Sequence, residues 1–201
     1  MAGEHYFTAQ PAGPADRRRV EVELAGRRLA VQTAGGVFSP DRVDTGTQVL
    51  VREAPAPPAE GAFLDLGCGW GPIALTLGLL APAASVYAVD VNERAVALTR
   101  ANAAAIGTGN VRAVLPAEVP ADVRFDLIWS NPPIRVGKPA LHDLLRTWLS
   151  RLADEGEAYL VVQKNLGADS LHRWIQAELG LPCNRHAVSK GFRILRVSRG
   201  G

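Results

Sequence analysis

The sequence predicts an α/β protein: a doubly wound, mostly parallel seven-stranded sheet with an antiparallel C-terminal hairpin strand, preceded by a small N-terminal β-hairpin extension. Three observations carry this. From Ala62 onward, short apolar runs of strand length alternate with segments of helical periodicity, the pattern of β–α units that lay parallel strands beneath helices. The runs at 62–66 and 85–89 are almost wholly apolar, as strands buried on both faces must be. The last two strand-like runs are separated only by Lys190-Gly191, too short a link for a parallel crossover, so they pair antiparallel. With 201 residues, 47% hydrophobic and 21% charged, such a chain buries a core without a metal or disulfide staple.

The elements follow in order. Alternating apolar and polar residues at 20–24 and 27–32, around Ala25-Gly26, predict the hairpin. Gly35-Gly36-Val37-Phe38-Ser39-Pro40 is a loop, and 45–52 a short helix with Thr45 or Thr47 at its start. Ala54-Pro55-Ala56-Pro57-Pro58-Ala59 is a stiff connector and marks the one internal boundary, dividing an N-terminal extension, 1–58, from a core, 59–201. The core opens with a strand at 62–66, an apolar helix at 71–80 with Pro72 in its first turn, and a strand at 85–89. A helix at 92–106 is capped by Asn92 and closed by Gly107. Strands at 111–115 and 125–129 follow, then a helix whose apolar face is Leu141, Leu144, Leu145, Trp148, Leu149 and Leu152. A strand at 158–162, a helix from a Ser170 cap to Leu179, and strands at 185–189 and 192–197 complete the chain.

Several classes are excluded. No charge lies between Asp65 and Asp90, yet Gly67, Gly69, Gly71, Pro72, Gly78 and Pro82 interrupt the stretch where a membrane span needs unbroken apolar helix. Cys68 and Cys183 lack zinc-site spacing and imply no oxidising compartment. Residues 1–5 have neither the basic nor the apolar region of a secretory signal, so a cytoplasmic protein is expected. The last twenty residues carry Arg185, Lys190, Arg193, Arg196 and Arg199 with no acid, on a chain of net charge +2. A cationic end on a slightly acidic body points to a polyanionic partner.

In an open α/β sheet, ligands bind beyond the carboxyl ends of the strands, where strand order reverses. The loop after the first core strand reads Asp65-Leu66-Gly67-Cys68-Gly69-Trp70-Gly71, and its glycines permit a tight turn and close approach of backbone to ligand. It departs from a dinucleotide fingerprint, because the third glycine comes one residue early and Pro72 follows. There is no Gly-Lys-Ser/Thr, which excludes a P-loop. Asp65 is unfavourable beside a pyrophosphate and suits an ammonium group. Asp90 ends the second core strand, 23 residues after Gly67, where a carboxylate accepts both ribose hydroxyls. An adenosine-containing cofactor with a cationic tail satisfies both. The loop after the fourth core strand is Asn131-Pro132-Pro133-Ile134-Arg135. Each proline holds its predecessor extended and removes a donor, leaving an asparagine amide and a proline carbonyl as acceptors for a planar NH2 group.

These residues resemble class I S-adenosylmethionine-dependent methyltransferases, and among them the small-domain rRNA guanine-N2 methyltransferases. The resemblance rests on Asp65 to Gly71, Asp90 and Asn131-Pro132-Pro133. Ile134-Arg135 with Gly137-Lys138, Gly36-Val37-Phe38-Ser39, Asp44-Thr45-Gly46-Thr47 and Lys190-Gly191-Phe192-Arg193 extend it from His5 over nearly the whole chain. It implies a Rossmann-like methyltransferase fold, S-adenosylmethionine as cofactor, methylation of an exocyclic amino group, and RNA, as rRNA or the small ribosomal subunit, as partner. It places the cofactor on Asp65, Gly67, Cys68, Gly69, Gly71, Asp90, Val91, Asn92, Ala117, Glu118 and Asn131, catalysis on Asn131, Pro132 and Pro133, and the substrate on Phe38, Ile134, Arg135, Lys138, Lys190 and Arg193. Two positions differ from the family pattern. Pro116-Ala117-Glu118 stands where many relatives place an aspartate for the adenine amino group, and Ile134 replaces a common aromatic, with Phe38 as the alternative aromatic face. A protein glutamine N-methyltransferase would use the same acceptors, but would carry a helical N-terminal domain and that aromatic. A nicotinamide oxidoreductase would share Asp90 but not the glycine spacing, and a catalytically silent RNA-binding module would have no use for Asn131-Pro132-Pro133.

Overall fold

Where a ligand can sit in this molecule is decided by the order in which its strands pair. The computed structural model describes residues 16–199; residues 1–5 and the start of the family resemblance at His5 lie outside the described residues. Strands β1 (Arg17–Leu24) and β2 (Arg27–Ala34) form an antiparallel hairpin. Its two turn residues, Ala25 and Gly26, have φ of 50° and 72°, as a twist-matched two-residue turn requires. Helix α1 (Thr45–Glu53) follows, and its cap is Asp44 rather than Thr45 or Thr47. Asp44 is extended (φ −58°, ψ 147°) and its carboxylate accepts from Gly46 N at 2.8 Å and Thr47 N at 3.4 Å, whereas Thr45 is already inside the first turn.

The core then alternates as the sequence predicts: β3 (Ala62–Leu66), α2 (Pro72–Leu80), β4 (Ser85–Val89), α3 (Glu93–Ile106), β5 (Val111–Val114), β6 (Phe125–Ser130), α4 (Lys138–Leu149), β7 (Leu152–Gln163), α5 (Ala168–Leu179), β8 (Cys183–Ser189) and β9 (Phe192–Ser198). Asn92 caps α3 and Gly107 (φ 78°) ends it. Several boundaries differ, and at two of them a residue named from the sequence changes place. Leu152 begins β7 instead of extending the face of α4, because the chain turns at Ser150 and pairs Leu152 with Phe125. Helix α5 starts at Ala168 behind Gly167 (φ 97°), so Ser170 lies inside its first turn.

The sheet order is β5-β4-β3-β6-β7-β9-β8, parallel from β5 to β7, with β9 antiparallel to both β7 and β8. From β3 the chain moves outward to β4 and β5, then returns to place β6 on the other side of β3. Strand order therefore reverses between β3 and β6, whose carboxyl ends meet at Leu66 and Ser130. On one face Leu141, Leu145 and Trp148 of α4 and Leu171 and Ile175 of α5 bury Leu64, Ile128 and Leu160. On the other, Val49 and Leu50 of α1 and Ile73 and Leu77 of α2 cover Phe63, Trp129 and Tyr159. No helix among the described residues is long and apolar enough to cross a membrane.

The N-terminal hairpin packs Val22, Leu24 and Val31 against Leu98 of α3 and Trp70. Asn102 of α3 stitches it down. Its amide accepts from Gln32 N at 2.7 Å and donates to Gln32 O at 2.9 Å and Trp70 O at 3.0 Å, imitating a strand partner for the edge of β2. Asn102 is 1% exposed, so Asn102→Ala leaves buried backbone groups without partners. Its cost is about 2–3 kcal/mol, to be read as a shift of the urea unfolding midpoint at unchanged slope.

Candidate active site

The loop leaving β3 turns through Gly67, Gly69 and Gly71, whose φ values are 81°, 58° and 98°. Gly71 is constrained twice. It caps α2 in the left-handed region, and a Cβ there would lie 2.8 Å from Thr99 Cγ2. Beneath the loop, Asp65 is fully buried; one carboxylate oxygen accepts from Ala74 N at 2.9 Å, in the first turn of α2, and the other, Oδ1, has no partner. Burial pushes this carboxyl up to about 8, with the Asp90 charge acting in the same sense and the Ala74 N–H opposing both. Cys68 is also buried, its Sγ 3.6 Å from Thr99 Oγ1, and burial raises its thiol well above the ordinary range, away from any nucleophilic role.

Asp90, at the end of β4, is clamped by two backbone donors: Gly69 N to Oδ2 at 3.0 Å and Asn92 N to Oδ1 at 2.9 Å. Burial raises its pKa and these N–H groups oppose the rise. The direction of the carboxylate is thereby fixed before any ligand arrives. Asn92 caps α3 through Arg94 N and Ala95 N and donates from Nδ2 to Gly36 O at 2.8 Å. That bond, with Trp70 Nε1 to Ser39 O at 3.0 Å, ties the 35–44 segment across the glycine loop and carries Phe38 to the cleft.

The loop leaving β6 is pinned where it starts, because Ser130 Oγ donates to Leu66 O at 2.7 Å. Asn131 Nδ2 donates to Asp44 Oδ2 at 2.9 Å and Thr47 Oγ1 at 3.2 Å. Both amide hydrogens are thereby used, and Oδ1 is left as an acceptor. The Pro132 carbonyl accepts from Ile134 N at 2.8 Å around Pro133 (φ −74°, ψ 74°), an inverse γ-turn that leaves its second lone pair open.

These loops enclose a cleft of about 250 Å³ at the reversal point. Of the residues singled out in the sequence, Phe38, Gly67, Gly69, Asp90, Asn92, Asn131, Pro132, Pro133, Ile134 and Arg135 line it. Asp65, Cys68 and Gly71 support it from below, and Val91 is exposed beside it. Ala117 and Glu118 do not line the cleft: the Glu118 carboxylate accepts from Leu115 N at 2.7 Å and closes its own loop. Arg193 is also placed elsewhere. It is buried in an ion pair with Asp169, because alternation along β9 turns it into the sheet face beneath α5. Lys138 begins α4 and Lys190 (φ 48°) sits in the β8–β9 turn, both exposed. Asp44, Gln163, Leu166 and Phe192 also line the cleft. Of these, Asp44 and Phe192 had a sequence signal, both lying in the stretches that carry the family resemblance; Gln163 and Leu166, an amide and an apolar side chain, are brought in by the end of β7 and the turn that follows it.

The strand order, the antiparallel β9 and a cleft at the reversal define a Rossmann-like methyltransferase fold. The 16S rRNA N2 G1207 methyltransferase (RsmC) of Thermus thermophilus, solved in complex with AdoMet and guanosine, shares it with a TM-score of 0.74 at 21% identity, over 92% of this chain and 51% of that one. The chain belongs to the methyltransferase small-domain family, whose model matches residues 28–196. It is 35% identical to YbxB of Bacillus subtilis over 199 residues, 98% of both chains. It is likewise 35% identical to the ribosomal RNA small subunit methyltransferase C of Pseudomonas entomophila over 192 residues, 90% of this chain and 54% of that protein. The chain thus spans about half the length of the methyltransferase C relatives it matches.

The Asp65 site predicts a pH signature. A carboxyl raised from its usual value near ~4 to about 8 when folded favours the native state fully below ~4, and that contribution is lost as pH rises to about 8. Asp65→Asn keeps an acceptor for Ala74 N and removes the titration. The unfolding free energy of the variant, measured between pH 5 and 8, is expected to fall less with pH than that of the native protein.

Proposed function

We propose that this protein transfers a methyl group from S-adenosylmethionine to an exocyclic amino group, the guanine N2 of small-subunit rRNA. The observation that carries this reading is the pair of acceptors, Asn131 Oδ1 and the Pro132 carbonyl, at the rim of a cleft whose other wall is the glycine loop and Asp90. A planar NH2 has two hydrogens to donate, and two acceptors on adjacent residues match it. The names of the relatives support the substrate class, and so does the Thermus structure, a complex with AdoMet and guanosine.

The residues present fit the cofactor. A Cβ at Gly67 would meet nothing within 4 Å, so backbone is bare where a ligand lies against it. The clamped Asp90 carboxylate is set to receive ribose hydroxyls. Asp65 Oδ1, a buried acceptor without a partner, makes the ground beneath the loop favourable for an ammonium group. The cofactor supplies an activated methyl on a sulfonium, so the protein must align the incoming amine and no strong base is needed. Asn131 Oδ1 and the Pro132 carbonyl draw on the amine hydrogens, turn the nitrogen lone pair out of conjugation and stabilise the positive charge that develops there. Phe38, Ile134, Leu166 and Phe192 give the base apolar walls. A paired base reaches them only by leaving its stack, at a cost of a few kcal/mol. Arg135, Lys138 and Lys190 are exposed cations on the loops and turn of this end of the sheet, suited to phosphate.

Methyl-labelled cofactor incubated with rRNA, small subunits, tRNA and protein fractions is expected to label the rRNA species, with N2-methylguanosine on nucleoside mass analysis; label confined to protein or tRNA would overturn the assignment. Asp90→Ala is expected to weaken cofactor binding markedly by calorimetry. Asn131→Ala should leave that affinity nearly intact and lower turnover about 10²-fold, the scale of one preorganised transition-state contact.

The cationic hairpin gives a separate expectation. Arg196 pairs with Glu157, and Arg199 binds the Leu152 carbonyl. With Arg193 also paired and Arg185 in mid-strand opposite Leu195, Lys190 in the β8–β9 turn is the hairpin cation nearest the carboxyl ends of the parallel strands. Across a salt series, Lys190→Ala is expected to flatten the dependence of log RNA affinity on log salt by about 0.7–0.9, and Arg196→Ala to leave it parallel.

A further inference from the structure

An asparagine amide has two ends of nearly equal shape, and turning it over converts an acceptor into a donor. At Asn131 the choice is made by Asp44. One oxygen of that carboxylate, Oδ2, receives Asn131 Nδ2 at 2.9 Å, Gly46 N at 2.8 Å and Thr47 N at 3.4 Å. An ionised carboxylate only accepts. The reversed amide would press its oxygen against that of Asp44, whereas the observed one gives it a hydrogen. Thr47 Oγ1, 3.2 Å from Nδ2, takes the second hydrogen, but a hydroxyl would suit either end of the amide, so the decision rests with Asp44. The carboxylate cannot swing away, because the two backbone donors that it caps at the start of α1 hold it in place. On the Gly46 side the packing is close: a Cβ at Gly46 would lie 3.0 Å from Asp44 Oδ2, 3.0 Å from Phe192 Cε1 and 3.3 Å from Asn131 Nδ2.

We infer that Asp44, with Thr47, is a positioning and specificity-determining element. It holds Asn131 as an acceptor, so that the site takes a ligand edge bearing N–H2 and turns away one bearing a carbonyl or a bare C–H at that place. A carboxylate on the amide nitrogen also polarises the amide and makes Oδ1 the stronger acceptor. The inference rests on the reading of Asn131 as the amine's acceptor, and adds that the acceptor is made so by a residue 87 positions earlier in the chain.

The decisive variant is Asp44→Ser, since serine caps a helix as well as aspartate does but is too short and uncharged to govern Asn131. Guanosine and inosine, which differ only in the N2 amino group, are titrated into the native protein and the variant in the presence of S-adenosylhomocysteine. The native protein is expected to prefer guanosine about tenfold, the worth of one net hydrogen bond. Asp44→Ser should bring that ratio near one and lower turnover about tenfold or more, with cofactor affinity and unfolding midpoint little changed. Asp44→Asn, which still offers a side-chain oxygen to Asn131 Nδ2, should recover most of the preference. Native-like preference and turnover in Asp44→Ser would overturn the inference. A native protein that does not discriminate would instead overturn the guanine reading. The orientation is then judged by exchange of the two Asn131 side-chain amide protons, expected to be slow in the native protein and faster in Asp44→Ser; equal rates in the two would overturn it.

Discussion

The parallel pairing of β3 with β6 is the constraint on which the site depends. It ends at Leu66 opposite Ser130, and the Ser130 hydroxyl bonds the Leu66 carbonyl at 2.7 Å, so two chain segments leave the sheet side by side and diverge. One becomes the glycine loop and α2, the other the Asn131-Pro132-Pro133 loop. Neither loop could hold a methyl donor against an acceptor alone; the reversal of strand order puts them a cleft's width apart and brings the β4 carboxylate, Asp90, to the same end. The polar groups are then fixed by backbone donors, Gly69 and Asn92 for Asp90 and Gly46 and Thr47 for Asp44. A site held this way loses little entropy when it binds, the condition under which electrostatic stabilisation is effective.

The N-terminal segment belongs to this machinery. Its hairpin is anchored by Asn102, and the chain from Gly35 to Asp44 is laid across the glycine loop by bonds from Asn92, Arg94 and Trp70 to the carbonyls of Gly36, Gly35 and Ser39. Phe38 and Asp44 arrive at the cleft by that route. The segment therefore acts as a strap, and the packing of Val49 and Leu50 of α1 over Trp129 and Tyr159 keeps it in register with the sheet.

Buried ionisable groups are held in two ways. Asp65 is enclosed with one oxygen unpartnered, and burial favours its neutral form up to about pH 8, so the arrangement costs stability as pH rises. Arg193 is buried and paired with the half-exposed Asp169 at the first turn of α5, an ion pair that secures α5 to β9. The first keeps an open acceptor and the second is a fastening, and the two cannot be told apart by residue type in a sequence.

The sequence by itself determined the kinds and order of the elements, the glycine loop, the Asp90 position and the Asn-Pro-Pro loop after β6. Each follows from local chemistry: strand-length apolar runs, an Asn92 cap with a Gly107 stop, and prolines that restrict their neighbours. Tertiary structure alone decided which polar side chains face the cleft. Glu118 turned onto its own loop, Arg193 turned into the core, Asp65 lay under the cleft, and Asp44 came to bond Asn131 across 87 residues. The reason is geometric. A side chain's direction depends on strand register, on which helix lies over it and on the turn before it, and those are set by contacts between segments far apart in the chain.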